Sequence, residues 1–340
     1  MAYTTINKSS DYFNTKLYTG NGSNGHAITG VGFQPDFVWI KDRDTATNHM
    51  VTDAVRGATK TLHTQNTDVE STAVNALSSF NTDGFTVNTD TDLNANNKKN
   101  VAWNWKANGA GSANTEGSVS ATVSANTTAG FSIVQYNTAG SGTQTMGHGL
   151  DSAPTFIITK PTQNSESWYV YIPTGVSSSL RLNTTAAAVS STPYAGTPTD
   201  TLFSINNGVI GGYTGVISYC FTDVKGYSKF GSYTGNGNAD GPFVYTGFKP
   251  AFVMVKESSS TGSWCIFDNK RLGYNPNNPR LYPNNTNAED ASETIFDIVS
   301  NGFKIRGDQS DTNASGQTYI YAAFAEAPLV GTNNVPCTAR

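Results

Sequence analysis

Charge is scarce in this sequence. Only 14% of its 340 residues are Asp, Glu, Lys or Arg, and the net charge is −4. No global basic field exists to hold a nucleic acid or an anionic membrane. No stretch approaches eighteen consecutive apolar residues, so no helix that inserts into a membrane is expected. The opening "MAYTTINKSS" has no apolar core of secretory-signal length, which predicts a chain made in a cytoplasm without a signal peptide. Cysteine is rare as well. Cys220, Cys265 and Cys337 are odd in number and widely spaced, which argues for buried reduced thiols and against a disulfide framework or a zinc site. The Ala, Leu, Glu and Lys wealth of helical proteins is missing too, and Gly, Asn, Ser and Thr stand in its place. That profile suits many short strands joined by tight turns.

Catalytic signatures are equally thin. Neither a Walker A motif nor a GxSxG elbow occurs. "GNGSNG" at 20–25 matches GxGxxG, but strand-like residues follow it where a phosphate cradle needs a helix, so it reads as a hairpin. His26, His49, His63 and His148 have no zinc spacing and read as turn or surface residues. Asp36, Asp83 and Glu70 are the acids a glycosidase pair would draw on, yet none shows a counterpart at matched positions later in the chain.

What is present is repetition. "YTGNG" at 18–22 returns at 233–237, and each copy runs on to a related segment: "GVGFQPDFVWIK" at 30–41 and "YTGFKPAFVMVK" at 245–256. Between them "YNTAGSGTQTMGHGLDSAPTFIITK" at 136–160 keeps the order with changed letters. Each copy has a glycine-rich turn, then Pro35, Pro154 or Pro250, then an apolar run closed by Lys41, Lys160 or Lys256. Gly84, Gly208 and Gly302 follow those prolines by 49, 54 and 52 residues, and each copy closes on an apolar run: "VAWNWKA", "VISYCFTD" and "YIYAAFAEAP". A period of roughly one hundred residues is that of a tandem domain rather than a solenoid.

The expected fold class is therefore all-β: three tandem antiparallel β-sandwich modules, jelly-roll-like, of about 100 residues each. The expected boundaries are an N-terminal arm at 1–10, modules at 11–107, 129–226 and 227–328, a Gly/Ser/Thr-rich linker at 108–128 in which "SVSATVSA" is a candidate added strand, and a tail at 329–340. The long first linker leaves module one free to sit apart, while modules two and three, joined by barely a turn, are expected to pack rigidly. The arm and tail are candidates for order only on contact with a neighbour. Short helical turns are expected at 68–80 and 287–299.

Two kinds of binding residue stand out. "AWNWK" alternates Trp103 and Trp105 around Asn104, which puts both rings on one face, either core or a stacking platform for sugars; Trp168 and Trp264 are further candidates. The loops "DTDLNANN" and "DQSDTNASG", with Asp90, Asp92, Asp308 and Asp311, offer oxygens suited to calcium, although neither has the ligand order of an EF-hand. No other cofactor is expected.

The strings "YFNTKLYTGNGS", "ITGVGFQPDFVWIKDR", "SFNTDGFTV", "VAWNWKA" and "GYSKFGSYTGNGNADGPFVYTGFKPAFVMVK" resemble a module of uncharacterised function that recurs in virion structural, tail-fibre-like proteins of marine bacteriophages. The resemblance covers nearly the whole chain and carries no catalytic residues. It implies a non-enzymatic protein on the exterior of a phage particle, with other virion proteins and a host-surface glycan or other receptor as partners. A capsid decoration protein is the alternative, and a polysaccharide-degrading enzyme a remote one. Analogy with phage fibres favours a homotrimer.

Overall fold

Alternation within the apolar runs dictates the architecture. In a strand, successive side chains point to opposite faces. Where both sets are apolar, both faces must be covered. The computed structural model describes residues 4–172, 178–276, 279–330 and 337. Among them the chain forms three large antiparallel sheets, each with a smaller sheet packed on one face.

The first large sheet has the spatial order Phe13–Thr19, Lys99–Trp105, Phe37–Asp42, Met50–Asp53, Lys60–His63 and Ser71–Thr72. Its small sheet is His26–Thr29, Gly84–Val87 and Leu77–Asn81. The third pair repeats this plan: Ser228–Thr234, Thr318–Pro328, Phe248–Glu257 and Trp264–Asp268, with Phe243–Tyr245, Gly302–Ile305 and Phe296–Val299 beneath. In both, the opening strand lies beside the closing strand and the latter beside the proline strand, as in a jelly roll.

The second pair keeps that centre, Phe131–Tyr136, Val216–Phe221, Phe156–Pro161 and Tyr169–Tyr171, and extends it at one edge with Ser112–Asn114 and Ala121–Asn126. The segment read as a linker thus contributes two strands to a sheet. Around its remaining turn, Ser118 and Val119 donate backbone N–H groups to Thr145, along the edge of a small sheet that has only two strands, Thr143–Gly147 and Leu202–Asn206.

The inner residues of each large sheet, such as Val38 and Ile40, Ile157 and Cys220, or Val253 and Val255, pack on the small sheet. The outer residues of all three, Phe37 and Trp39, Phe156 and Ile158, Phe252 and Met254, meet in one common core. Module one therefore does not sit apart. The large sheets form a closed head-to-tail ring, the intrachain counterpart of a heterologous interface that closes.

Equivalent residues recur around this ring. Trp105, Phe221 and Phe324 occupy the same register on the three closing strands and touch one another, with ring centroids 6.5, 5.5 and 5.6 Å apart. Each proline-strand Phe reaches the opening strand of the next unit: Phe37 to Phe131 at 6.0 Å, Phe156 to Phe230 at 5.3 Å, Phe252 to Phe13 at 5.7 Å. Backbone bonds close the rim, from Glu70 N to Thr162 O, Ala188 N to Ser258 O and Glu289 N to Arg43 O, at 2.7, 2.9 and 2.9 Å.

Three further expectations are corrected by this packing. Residues 68–80 and 287–299 hold short strands, turns and irregular segments: Ala76, Leu77, Ile295, Phe296 and Ile298 are buried in the sheet cores, whereas Val69 and Val74 face out, so no helical stripe forms; the helical turns lie later, at Thr91–Asn94 and Ser310–Asn313. Within the arm, Ile6 is buried in the common core of its own chain, and Ser9–Asp11 forms a 3₁₀ turn. Residues 1–3 and most of the tail lie outside the described residues.

Candidate functional site

The repeated "YTGNG" is explained by a buried asparagine. Asn94, last residue of the short helix Thr91–Asn94, donates Nδ2–H to Asn21 Oδ1, Ser23 O and Asn88 O at 3.2, 3.0 and 2.5 Å, and its Oδ1 accepts from Asn21 N at 3.0 Å. Tyr18 donates its hydroxyl to Leu93 O at 2.6 Å. Asn313, Asn236 and Tyr233 repeat every element of this arrangement. Gly20 and Gly235 are required because a Cβ there would sit 2.2 and 2.3 Å from the carbonyl oxygens of Ala95 and Ala314. Asn94→Ala strands the Asn21 amide and three acceptors, so it should cost about 1–3 kcal/mol. Hydrogen exchange should speed up at 20–25 and 94–97 while the large sheets remain protected.

These bonds bear on the aspartate loops. Asp90 caps its helix by accepting from Asp92 N, Asp92 Oδ2 accepts from Asn48, and Asp311 Oδ1 accepts from Ser263 N at 2.7 Å, while Asp308 is exposed. The carboxylates serve the turns individually. Among the described residues no group of three His, Cys, Asp or Glu side chains is placed to hold a metal ion.

The tryptophan platform is corrected outright. Trp103, Trp105, Trp168 and Trp264 are all at most 2% exposed, because all four side chains are turned to the common core. Trp168 Nε1 donates to His63 O and Trp264 Nε1 to Arg181 O, at 2.8 and 2.9 Å, each reaching the preceding unit. Asn104 is buried and donates Nδ2–H to Asn14 O and Ala102 O. None of the four rings is available to a ligand. Two histidines are also inside: His49 accepts from Trp39 Nε1 at 3.0 Å, and His148 lies 3.1 Å from Thr199 O; burial lowers the pKa of both.

The sequence reading missed an ionic motif, D-x-x-R, although it recurs 18 residues after Pro35 and Pro250. Asp53 pairs with Arg56 and Asp268 with Arg271, both at 2.6 Å and fully buried. Each arginine continues to a glutamate, Arg56 to Glu70 at 3.1 Å and Arg271 to Glu289 at 3.2 Å. Glu70 therefore does have a counterpart, held at the equivalent rim position. Asp36 is likewise committed, its Oδ2 accepting from Ala107 N at 2.8 Å.

Lys41, Lys160 and Lys256 are buried too, with Nζ donating to backbone carbonyls: Asp42 and Thr45, Pro161 and Thr67, Glu257 and Thr185. Burial pushes each down to about 8. Between that value and the ordinary lysine value near 10.5 the unfolded chain keeps protons the folded chain has released, so stability rises with pH. The slope is up to about 1.4 kcal/mol per pH unit for each lysine. Buried Tyr194 and Tyr219, and Tyr18 and Tyr233 with their hydroxyls turned inward, have pKa values raised by desolvation and reverse the trend above about pH 10, where the unfolded chain begins to lose phenolic protons. Urea midpoints should climb from pH 7.5 to 9.5 and fall beyond 10.5; a flat profile would contradict this.

With the acids, lysines and tryptophans committed to the framework, the accessible chemistry lies elsewhere. Phe243 and Tyr245 are 49% and 54% exposed on the edge strand of the third small sheet, with Val244 between them turned inward. Tyr245 borders an open cleft also lined by Asp223, Lys225, Ser228, Lys229 and Thr246. Asp223 and Lys229 form an ion pair at its wall.

Comparison with curated proteins and with solved structures finds no match to either. A family model described as a domain of unknown function matches residues 8–328, a span that takes in all three sheet pairs. The chain belongs to that family, the domain of unknown function DUF7483, and one family domain corresponds to the whole ring.

Proposed function

We propose that this protein is a non-enzymatic component of a phage particle's exterior, of the fibre or adhesin type, that contacts a host-surface glycan or other receptor. The observation that carries the reading is the division of labour among side chains. Asp36, Asp53, Glu70 and Asp268 are held in ion pairs and turn bonds and His49 and His148 are buried, whereas the exposed remainder is a scaffold bearing polar loops and one aromatic edge. A polysaccharide-degrading role for Asp36 or Glu70 fits poorly, since each carboxylate already has its partners. The string resemblance to tail-fibre-like virion proteins supports the particle assignment. A closed ring without disulfides suits a protein exposed to dilute surroundings, and many copies on one particle would turn weak contacts into avidity. The internal ring of three related units also provides within one chain the arrangement that a fibre trimer builds from three.

A labelled antibody against the full chain, imaged on purified particles, tests this. Label on a fibre or tail tip supports the reading. Label across the capsid lattice supports decoration instead, and particles without label overturn both.

A further inference from the structure

Five large apolar side chains are strongly exposed among the described residues: Val69, Val74, Phe243, Tyr245 and Tyr274. Only Phe243 and Tyr245 share a strand and a face, roughly 7 Å apart along it. The fold does not need them there. Ile28 and Val244 occupy the same register, opposite Phe85 and Phe303, so Ala27 and Thr29 in the first unit stand where Phe243 and Tyr245 stand in the third. In the second unit, with Met146 opposite Phe203, those places hold Thr145 and Gly147.

The glycine across the strand makes the same point. A Cβ on Gly302 would meet Val244 O at 2.0 Å and one on Gly84 would meet Ile28 O at 2.0 Å, so both glycines are set by backbone approach. Only Gly302 has an aromatic ring against it, that of Phe243. Exposing two rings in water where sister units manage with Ala and Thr is a departure from the framework that calls for a ligand.

We propose that Phe243 and Tyr245, with Asp223 and Lys229 of the adjoining cleft, bind a neutral saccharide chain. The inference rests on the attachment reading and assigns its contact site. A pyranose presents a face of C–H bonds, weakly positive, that stacks on the negative face of an aromatic ring. Its hydroxyls are matched by the Asp223 carboxylate and the Lys229 ammonium group at the wall beside Tyr245, both partly exposed. Around the rings Asp223 pairs with Lys229, Asp240 with Lys304 and Asp297 with Arg306, and Lys225 at the cleft wall leaves an excess of a single positive charge. Such a border offers little net field to a polyanion, and it fits a ligand that is hydroxyl-rich and uncharged.

The test uses the full chain and affinity electrophoresis through gels containing dextran, laminarin or a soluble β-mannan, with dextran sulfate as the charged control. The double variant Phe243→Ala with Tyr245→Thr installs the residues the first unit carries, so the fold should tolerate it and the melting temperature should stay unchanged. We expect the wild type to be retarded by at least one neutral polymer and the double variant to bind it at least tenfold more weakly. Equal retardation of variant and wild type overturns the site. No retardation by any neutral polymer, or retardation by dextran sulfate alone, overturns the ligand class. These results are separable from particle location: a labelled fibre whose variant binds sugar normally leaves the attachment reading standing and removes this site.

Discussion

Replacing Trp105 with alanine should lower the unfolding free energy by about 3–5 kcal/mol, the range for deleting a large aromatic from a packed core. The ring touches Phe13, Phe37, Phe221, Phe252 and Phe324, so it contacts all three units at once. The loss should consequently appear as one earlier cooperative transition seen equally by probes in each unit. Trp105→Phe makes an informative companion. It installs the residue found at the equivalent places, Phe221 and Phe324, and removes an indole N–H that has no hydrogen-bond partner. Its cost should be a small fraction of the alanine cost. If Trp105→Ala instead melted unit one while the other two kept their midpoint, the common core would not be the cooperative unit described above.

A comparable loss is expected from Asp268→Ala. Its carboxylate accepts from Arg271 Nε at 2.6 Å and from Trp103 Nε1 at 3.1 Å, across the junction between the third and first units. Removing it leaves a fully buried guanidinium facing an indole N–H, which costs about 3–5 kcal/mol. The three junctions explain why the pair is there. At the first, Asp53 accepts from Tyr219 at 2.7 Å; at the last, Asp268 accepts from Trp103. At the middle junction the corresponding residues are Ile172 and Ala322, both within the apolar core. Donor and acceptor are both present or both absent. The double exchange Asp268→Ile with Trp103→Ala mimics that middle junction but leaves the buried Arg271 with Glu289 as its one carboxylate partner, so adding Arg271→Met should recover part of the loss. Calorimetry on the three variants checks this, and no recovery in the triple variant would mean that volume, not charge, governs the junction.

Much was legible in the chain itself. Short continuous apolar runs bounded by turn residues place "FVWI", "FIIT" and "FVMV" on strands, and the repeated turns and prolines place them in three related units. The D-x-x-R pairs were legible too, at a constant offset from Pro35 and Pro250, as were the asparagines that hold the repeated turn. These features are local, or depend on period and spacing, and the chain encodes such features directly.

What covers the outward face of each large sheet was decided only by the tertiary structure. A two-sided apolar strand demands a cover without naming it, and here the cover is the sheets of the neighbouring units. That one fact withdraws Trp103, Trp105, Trp168 and Trp264 from any surface role and draws module one into the ring. It also leaves exposed an aromatic pair on a short edge strand that sequence alone could not tell from core, because Phe243 and Tyr245 alternate with Val244 as core residues do. Burial depends on which chain segments meet across long sequence distances, and composition and period carry no record of that meeting.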